Sequence, residues 1–509
     1  MRLKRFQLVW MLVLGLTFFG SMPASAAQSN VLRVGVNSDL DTLDPARIRN
    51  VASLLVGNNI YSSLVRFKPG STTEIEPDLA KSWELSPDGL VMTFHLRKGV
   101  QFQKGFGEFT AEDVKFTIER HQNKETKSAF FQMYKAVKKV EAVDKYTLRL
   151  HFTAPTPAFF STILTWRGGW ILSKKAVEKF GKDYAFNPVG TGTYVFQSYQ
   201  KGAKVVLTAN KDYFRGQPHI GRVEFIPVPE ASVAYAGIQA GDLDIMYTRN
   251  PTVFNRARKN KDLKVMFAPA MSVRSAYLNT SRGPLKDVRV RRAIVYAVNR
   301  KAILEHVLGN TGRLGSSFLS PNCWTHTTDI RIYDYDPARA KKLLAEAGYA
   351  KGFEVEFLYP KQSPYQEIAP AMADDLRAVG IKANLVGMKF VSFIERARKG
   401  GYDMLVMGLT RPPDPEIVLT TGYFGPNKPP GQNFSFYDKL DKLIVEARHE
   451  VNREKRKQLY IQAQKRIAED VPAFPFYYPY AMSIMRPHVK GHIVGVMNAY
   501  DIFPMYLEK

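Results

Sequence analysis

Cysteine is nearly absent from this chain. Cys323 is the only one in 509 residues, which excludes an intrachain disulfide and any multi-cysteine metal centre. The residue reads as a small buried hydrophobe. Histidine is scarce too: the nine are dispersed, and none sits at the spacing of a metal-binding or catalytic motif. HExxH and GxSxG are missing. Gly190-Thr191-Gly192 lacks the frame of a phosphate loop, and Asp39, Asp41 and Asp44 lack the glycine and terminal glutamate of a calcium loop. No catalytic residue, metal ligand or cofactor is therefore expected, and the chain does not read as an enzyme. Acids are in deficit, 47 against 72 basic residues, for a net charge of +25. The basic residues are scattered and mostly interleaved with acids, without a nucleic-acid-binding motif. They read as a solvated surface, with attraction to an anionic ligand or envelope surface left open, and nucleic acid is not an expected partner.

Long apolar runs are missing after residue 26. Before it, Arg2, Lys4 and Arg5 precede an apolar run from Leu8 to Gly20, and Ala24-Ser25-Ala26 offers a small-residue cleavage site. That is the pattern of a secretory signal peptide over residues 1–26; an uncleaved anchor is the alternative, disfavoured by the short run. No cysteine follows the cleavage site, so a lipid anchor is not expected. The mature chain should be soluble and periplasmic. At about 150 residues per domain it has room for roughly three domains or two large lobes.

The most legible stretch is residues 79–120. Ser86-Pro87-Asp88-Gly89 is a turn, with proline presetting φ and glycine relieving the fourth position. Trp83 and Leu85 alternate before it. Leu90, Met92, Phe94 and Leu96 share one face after it, as in a half-buried hairpin. Thr110, with Glu112 and Asp113 behind it, opens a helix. A helix from Ala52 to Leu64 is predicted earlier, with Tyr61 and Leu64 inward. Hairpins follow over 140–150 and 187–214. Residues 219–250 read as strand, helix and strand, and 263–279 as a strand pair. From about 286 helices and strands alternate. Helices are predicted over 288–298, 336–348 (Asp336 cap, Pro337 first, Gly348 last), 364–379, 391–399, 438–449 and 453–469. Strands are predicted over 353–358, 381–386 and 404–409, and an extended return segment over 474–485. The alternation predicts a parallel sheet covered on both faces.

The wording of four stretches adds to this. LAKSWELSPDGLVMTFHLRKGVQF with FTAEDVKFTIER, DTLDPA, NPVGTGTY with ANKDYF, and LKDVRVRRAIVYAVNRKAIL resemble solute-binding protein family 5, the large binding proteins of peptide, oligopeptide and nickel ABC importers. The resemblance implies an α/β fold of two lobes (a type II, cluster C-like periplasmic binding protein) with an extra subdomain in the first lobe. The expected boundaries are 27–66 for the first lobe, 67–185 for its peripheral subdomain, 186–275 for the first lobe again, 276–482 for the α/β second lobe, and 483–509 for the return. Two hinge crossings, near 272–282 and 476–487, would let the lobes close on ligand, and closure would be read by the permease subunits in the inner membrane. On this reading 79–120 is peripheral scaffold.

The ligand side is carried by other residues. The segment from Met404 to Glu416 leaves a strand at its carboxyl end, where α/β sheets bind ligands. Peptide-binding relatives place an aspartate there for the ligand α-amine; this chain has Arg411-Pro412, then Asp414-Pro415. Arg411 either meets a ligand or turns to solvent or Asp414. Thr410, Arg411 and Asp414 are candidate ligand residues, with Asp39 and Leu40 where the first strand ends, Trp324, and Tyr477 and Tyr478 before the return crossing. Core packing is the alternative for the aromatics. The expected function is a periplasmic binding protein that captures a di- or oligopeptide or peptide-like small molecule for an ABC importer. The alternatives are the same role for an anionic or amine-blocked compound, such as an opine-like molecule or sugar acid, and a periplasmic hydrolase on this scaffold.

Overall fold

The computed structural model describes residues 30–410, 413–497 and 500–508. The signal-peptide reading over 1–26 and the Arg411-Pro412 pair lie outside the described residues. Among the described residues twelve strands join in one sheet: β1 Val31–Val36, β2 Tyr194–Gln200, β3 Lys204–Ala209, β4 Arg222–Pro227, β5 Ile245–Thr248, β6 Lys264–Pro269, β7 Ser272–Leu278, β8 Gly312–Leu314, β9 Phe353–Pro360, β10 Ile381–Met388, β11 Met404–Thr410 and β12 Ala473–Met485. Their order is β2-β3-β4-β1-β5-β12-β7-β11-β9-β10, with β6 and β8 also on β12. The carboxyl half of β12 lies between β5 and β6, and its amino half pairs with β7 and β8. One lobe is built on each half. The chain changes lobe between β6 and β7, at Ala270-Met271, and on β12 around Pro479, whose carbonyl accepts from the Ala270 amide at 2.9 Å.

The second lobe is α/β, but its sheet is mixed rather than wholly parallel. Strands β9, β10 and β11 are parallel to one another, whereas β7 runs antiparallel to β11 and to β12. The reason is topological: β7 enters from the other lobe and β12 returns to it, so neither belongs to a local strand-helix-strand unit. The predicted strand pair over 263–279 forms two strands that pair with β12 and not with each other.

Local chemistry explains most of the elements. The hairpin pairs Ala80–Leu85 with Val91–Leu96; Met92, Phe94 and Leu96 are buried, whereas Leu85 is exposed. In its turn Ser86 Oγ donates to Asp88 Oδ1 at 2.6 Å, and Gly89 takes φ +70°. Thr110 and Asp113 form a reciprocal capping box on the helix Ala111–Gln122. Asp336 caps Pro337–Glu346, and Gly348 follows at φ +87°. Among the helices not predicted from sequence are Pro251–Arg258 and Pro415–Tyr423; a proline at the first position of each and the Asp414 cap of the second are the missed signals. No described helix is long and apolar enough to cross a membrane.

The first-lobe core is continuous from Leu32 and Val34 through Leu64 to Phe94, Leu148 and Leu150, so the hairpin region shares it. The helix predicted to Leu64 stops at Ile60. There the backbone of 190–192 takes its carbonyl, the Gly192 amide donating to Ile60 O at 2.8 Å. A Cβ on Gly190 would lie 2.1 Å from Ile60 O, and one on Gly192 2.6 Å from Ile60 C. Only glycine allows this approach. Gly190→Ala is expected to lower stability by about 1–3 kcal/mol, as overpacking does, read as a lower midpoint of urea unfolding. An unchanged midpoint would show that the two backbones do not need this contact.

Candidate ligand-binding cleft

The carboxyl end of β11 meets Arg274 of β7. Arg274 pairs in register with Gly408 on one side and Tyr477 on the other. The bare Gly408 makes room for it: a Cβ there would lie 2.3 Å from Arg274 Cδ. The helix Tyr365–Arg377 begins beside them. The Arg274 guanidinium lies 5.7 Å from the Tyr365 ring centre, and the Tyr365 hydroxyl donates to Gly408 O at 3.5 Å. Arg274 is 5% exposed. Its Nη1 donates to Ser272 Oγ, while its Nε, Ser363 Oγ and Glu367 Oε2 are buried atoms without a hydrogen-bond partner among the described residues. Burial raises the Tyr477 hydroxyl; the charges of Arg274 and Arg249 oppose that rise, and Tyr365 and Glu367 add to it.

The first lobe contributes Arg249, just past β5. Its side chain is exposed, yet surrounding protein, and then the charge of Arg274, lower its pKa. The exposed side chain still has enough protein around it to be partly desolvated, and Arg274 is near enough for its charge to be felt. Beneath it Tyr247 and Tyr500 stack at 3.6 Å, with His492 beside both rings.

The lobes are closed on each other. Ser161 Oγ donates to Asp414 Oδ2 at 3.2 Å, Thr72 Oγ1 to Asn322 O at 2.7 Å, and the His449 ring to Pro155 O at 2.9 Å. The hairpin tip takes part: a Cβ on Gly89 would meet Val451 of the second lobe at 2.9 Å. Residues 79–120, expected as peripheral scaffold, thus bring their turn against the opposite lobe.

The expected ligand residues fall into two groups. Tyr477 and Thr410, the last residue of β11, stand with Arg274. The others are engaged within the protein. Asp39 Oδ1 accepts from the Leu40 amide and Oδ2 from the Gly202 amide, both at 2.8 Å, which fastens the end of β1 to the β2–β3 turn. Leu40 packs on the first-lobe core. Asp414, 2% exposed, gives both oxygens to Arg456 at 2.7 and 2.8 Å and caps Pro415–Tyr423. Against the opposing effect of burial, Asp414 raises the Arg456 pKa. Trp324 covers this pair, with the guanidinium groups of Arg453 and Arg456 5.1 and 5.8 Å from its ring. The Tyr478 hydroxyl accepts from the Ser316 and Ser317 amides and donates to Ser317 O, so it holds that loop. Cys323 is buried, as expected. Its thiol donates to Pro413 O at 3.0 Å, and burial pushes it up to about 12. It lines a small pocket with Met271, Ser275, Tyr277 and Val418. Sequence reasoning missed Arg274, Arg249, Tyr365, Ser363 and Glu367. The available signal was Arg274 itself, a charge in phase with Ala276 and Leu278 on the buried side of a strand.

Residues 74–430 match the family model described as bacterial extracellular solute-binding proteins, family 5 Middle. The chain is 32% identical to the dipeptide-binding protein of Escherichia coli (strain K12), with 98% of each chain covered. Among solved structures it resembles the ABC transporter-associated periplasmic binding protein DppA from Helicobacter pylori in complex with the peptide STSA. That match has TM-score 0.82 and 30% identity, and covers 94% of this chain and 98% of that one. It also resembles the binding protein MoaA from A. tumefaciens R10 in complex with mannopinic acid, with TM-score 0.81 and 30% identity, over 94% and 100% of the two chains.

Two tests follow from the geometry. Asp414→Ala strands the buried Arg456 charge, for an expected loss of about 3–5 kcal/mol, seen in the urea midpoint; Asp414→Ala with Arg456→Met should recover much of it. A small loss in the single variant would mean that the pair is hydrated. The second concerns His492, whose imidazole is lowered from 6.5 to about 4 by burial and then by Lys264. Its folded form is neutral, and the unfolded chain binds the proton first as pH falls. Its stability contribution is therefore full above pH 6.5 and lost between 6.5 and about 4. His121, lowered to about 3 by burial and then by Arg120, acts with the same sign. His492→Gln should blunt the fall of stability with acid in this interval, and an unaltered slope would place its source elsewhere.

Proposed function

The chain belongs to the bacterial extracellular solute-binding proteins of family 5, and from that membership we propose that it is the periplasmic substrate-binding protein of an ABC importer. It takes a di- or oligopeptide, or a peptide-like small molecule, between its lobes and presents the closed form to the membrane permease. The observation that carries this reading is the construction of the cleft: two lobes joined by the Ala270-Met271 passage and by β12, with unpartnered buried polar atoms of Arg274, Ser363 and Glu367 between them. Relatives with peptide in their names or bound peptide support the ligand class. The role is carriage without turnover, as in relatives named for binding.

Closure couples to ligand because a ligand held by both lobes is bound best when they meet, and contacts such as Ser161 to Asp414 add to the stability of that closed form. A ligand bound by the closed form alone adds about 2.7 kcal/mol of stability at a hundred times its Kd. Short peptides should raise the melting temperature, shrink the radius of gyration in solution scattering, and be recovered unchanged. Ser161→Ala should weaken them about 2–10-fold, the worth of one hydrogen bond. Peptides cleaved on incubation, or giving no shift at about 1 mM, would sink the reading.

A further inference from the structure

Among the described residues four arginines are more than nine-tenths buried: Arg274, Arg291, Arg300 and Arg456. Three are fully employed. Arg456 holds both oxygens of Asp414, the Ala447 carbonyl and the Tyr460 hydroxyl. Arg291 donates to the carbonyls of Leu285, Lys286 and Asp470. Arg300 donates to those of Gly315, Tyr333 and Pro475. Arg274 differs from all three. Its only described hydrogen-bond partner is the Ser272 hydroxyl, its Nε has none, and it has no carboxylate partner among the described residues. A buried charge costs several kcal/mol unless it is compensated, and five donors in a rigid fork suit a planar anion. Arg274 is also placed for use. It lies at the carboxyl end of β11, in the space left by Gly408, and near enough to Arg249 of the first lobe for the two charges to repel. Around Tyr477 two guanidinium groups, Arg274 and Arg249, face one carboxylate, Glu367.

We propose that Arg274 receives a carboxylate of the ligand, so that this cleft selects acid-bearing ligands and does so from the hinge strand. The inference rests on the receptor reading above and names the chemistry its cleft recognises. A peptide C-terminus and the acid group of a sugar-acid compound are two sources of the same carboxylate. Arg249, at the mouth, adds a second positive charge that draws the anion inward. Ser363 Oγ and Glu367 Oε2 remain to accept from donors elsewhere on the ligand.

The test is calorimetric titration of the full-length mature protein, freed of ligand, with two matched pairs: Ala-Ala against its C-terminal amide, and gluconate against sorbitol. The acid of at least one pair should bind about 10–100-fold tighter than its neutral mate, the worth of a charged hydrogen bond. Arg274→Gln should erase that difference, and Arg274→Lys should keep part of it. Melting of the ligand-free protein separates this role from a structural one. Removing an uncompensated charge should leave Arg274→Gln as stable as the parent or more so, whereas a guanidinium needed for packing would lower the melting temperature. Binding without preference for the acid in either pair overturns the inference and, where Ala-Ala and its amide both bind, leaves the peptide receptor standing. Gluconate bound through Arg274 without any peptide binding upholds the inference and removes the peptide. Silence from all four probes overturns both. The acid-to-neutral comparison uses the parent protein, so it holds even if Arg274→Gln fails to fold.

Discussion

The structure turns on one strand. Residues 473–485 form β12, and each of its halves supports a different lobe. A strand in a ladder is stiff where both neighbours hold it and compliant where the neighbour changes. The change falls beside Ala270-Met271, where β6 gives way to β7. The only other backbone route between the lobes runs through the same place on β12, so motion of one lobe over the other must bend the chain there. The residues proposed to meet ligand lie close by. Tyr477 sits on β12 and Arg274 on β7, each within a few positions of the crossing. The hinge and the floor of the cleft are therefore one piece of structure, and a ligand on that floor touches the strands that flex.

Charge is the second organising constraint. With 47 acids for 72 bases, carboxylates cannot pair every cation, and not every buried one has been given one. The fold answers by turning main-chain carbonyls toward Arg291 and Arg300 and reserving a carboxylate for Arg456. This is why Asp414 is better understood as structure than as a ligand contact: its oxygens are committed to Arg456 and to the start of Pro415–Tyr423. The same pair reaches Ser161 across the cleft. A strong internal ion pair thus fixes the loop after β11 and offers the other lobe a rigid acceptor, which favours a defined closed state over a range of loosely apposed ones.

The elements were legible in the sequence where their causes are local. The turn at Ser86–Gly89, the capping box at Thr110 and Asp113, and the Asp336-Pro337 start with its Gly348 stop each lie within a few residues, and each stands in the structure as read. The helix end at Ile60 was not legible, because the backbone that stops it comes from Gly190 and Gly192. The mixed direction of the second-lobe sheet depends on which lobe a strand enters from, and periodicity carries no such information. For the cleft, the end of a strand pointed to Thr410 and the approach to the return crossing to Tyr477, and both lie near Arg274. Position before that crossing, the family resemblance and the end of the first strand also pointed to Tyr478, Trp324 and Asp39, whose polar groups or rings are engaged by Ser317, Arg456 and Gly202. Arg274 escaped because its meaning lies in what does not surround it, and that is a property of the whole fold.

An uncompensated cation beneath a closing cleft has a consequence for how such a protein works. In the open form water can reach Arg274 and lower its energy. Closing without an anion strips that water away and leaves the charge in protein, so the closed form is disfavoured by the cost of desolvation. A carboxylate that enters first removes this cost and gains from the falling dielectric as the lobes approach. The same residue then acts against empty closure and in favour of filled closure. Differential stability of the two forms is what a ligand needs in order to shift a conformational equilibrium. Cross-lobe hydrogen bonds such as Ser161 to Asp414 cannot provide this discrimination, since they form on closure whether the cleft is full or empty. Placing the charge on the hinge strand makes occupancy, and not mere contact between lobes, the condition for a stable closed form.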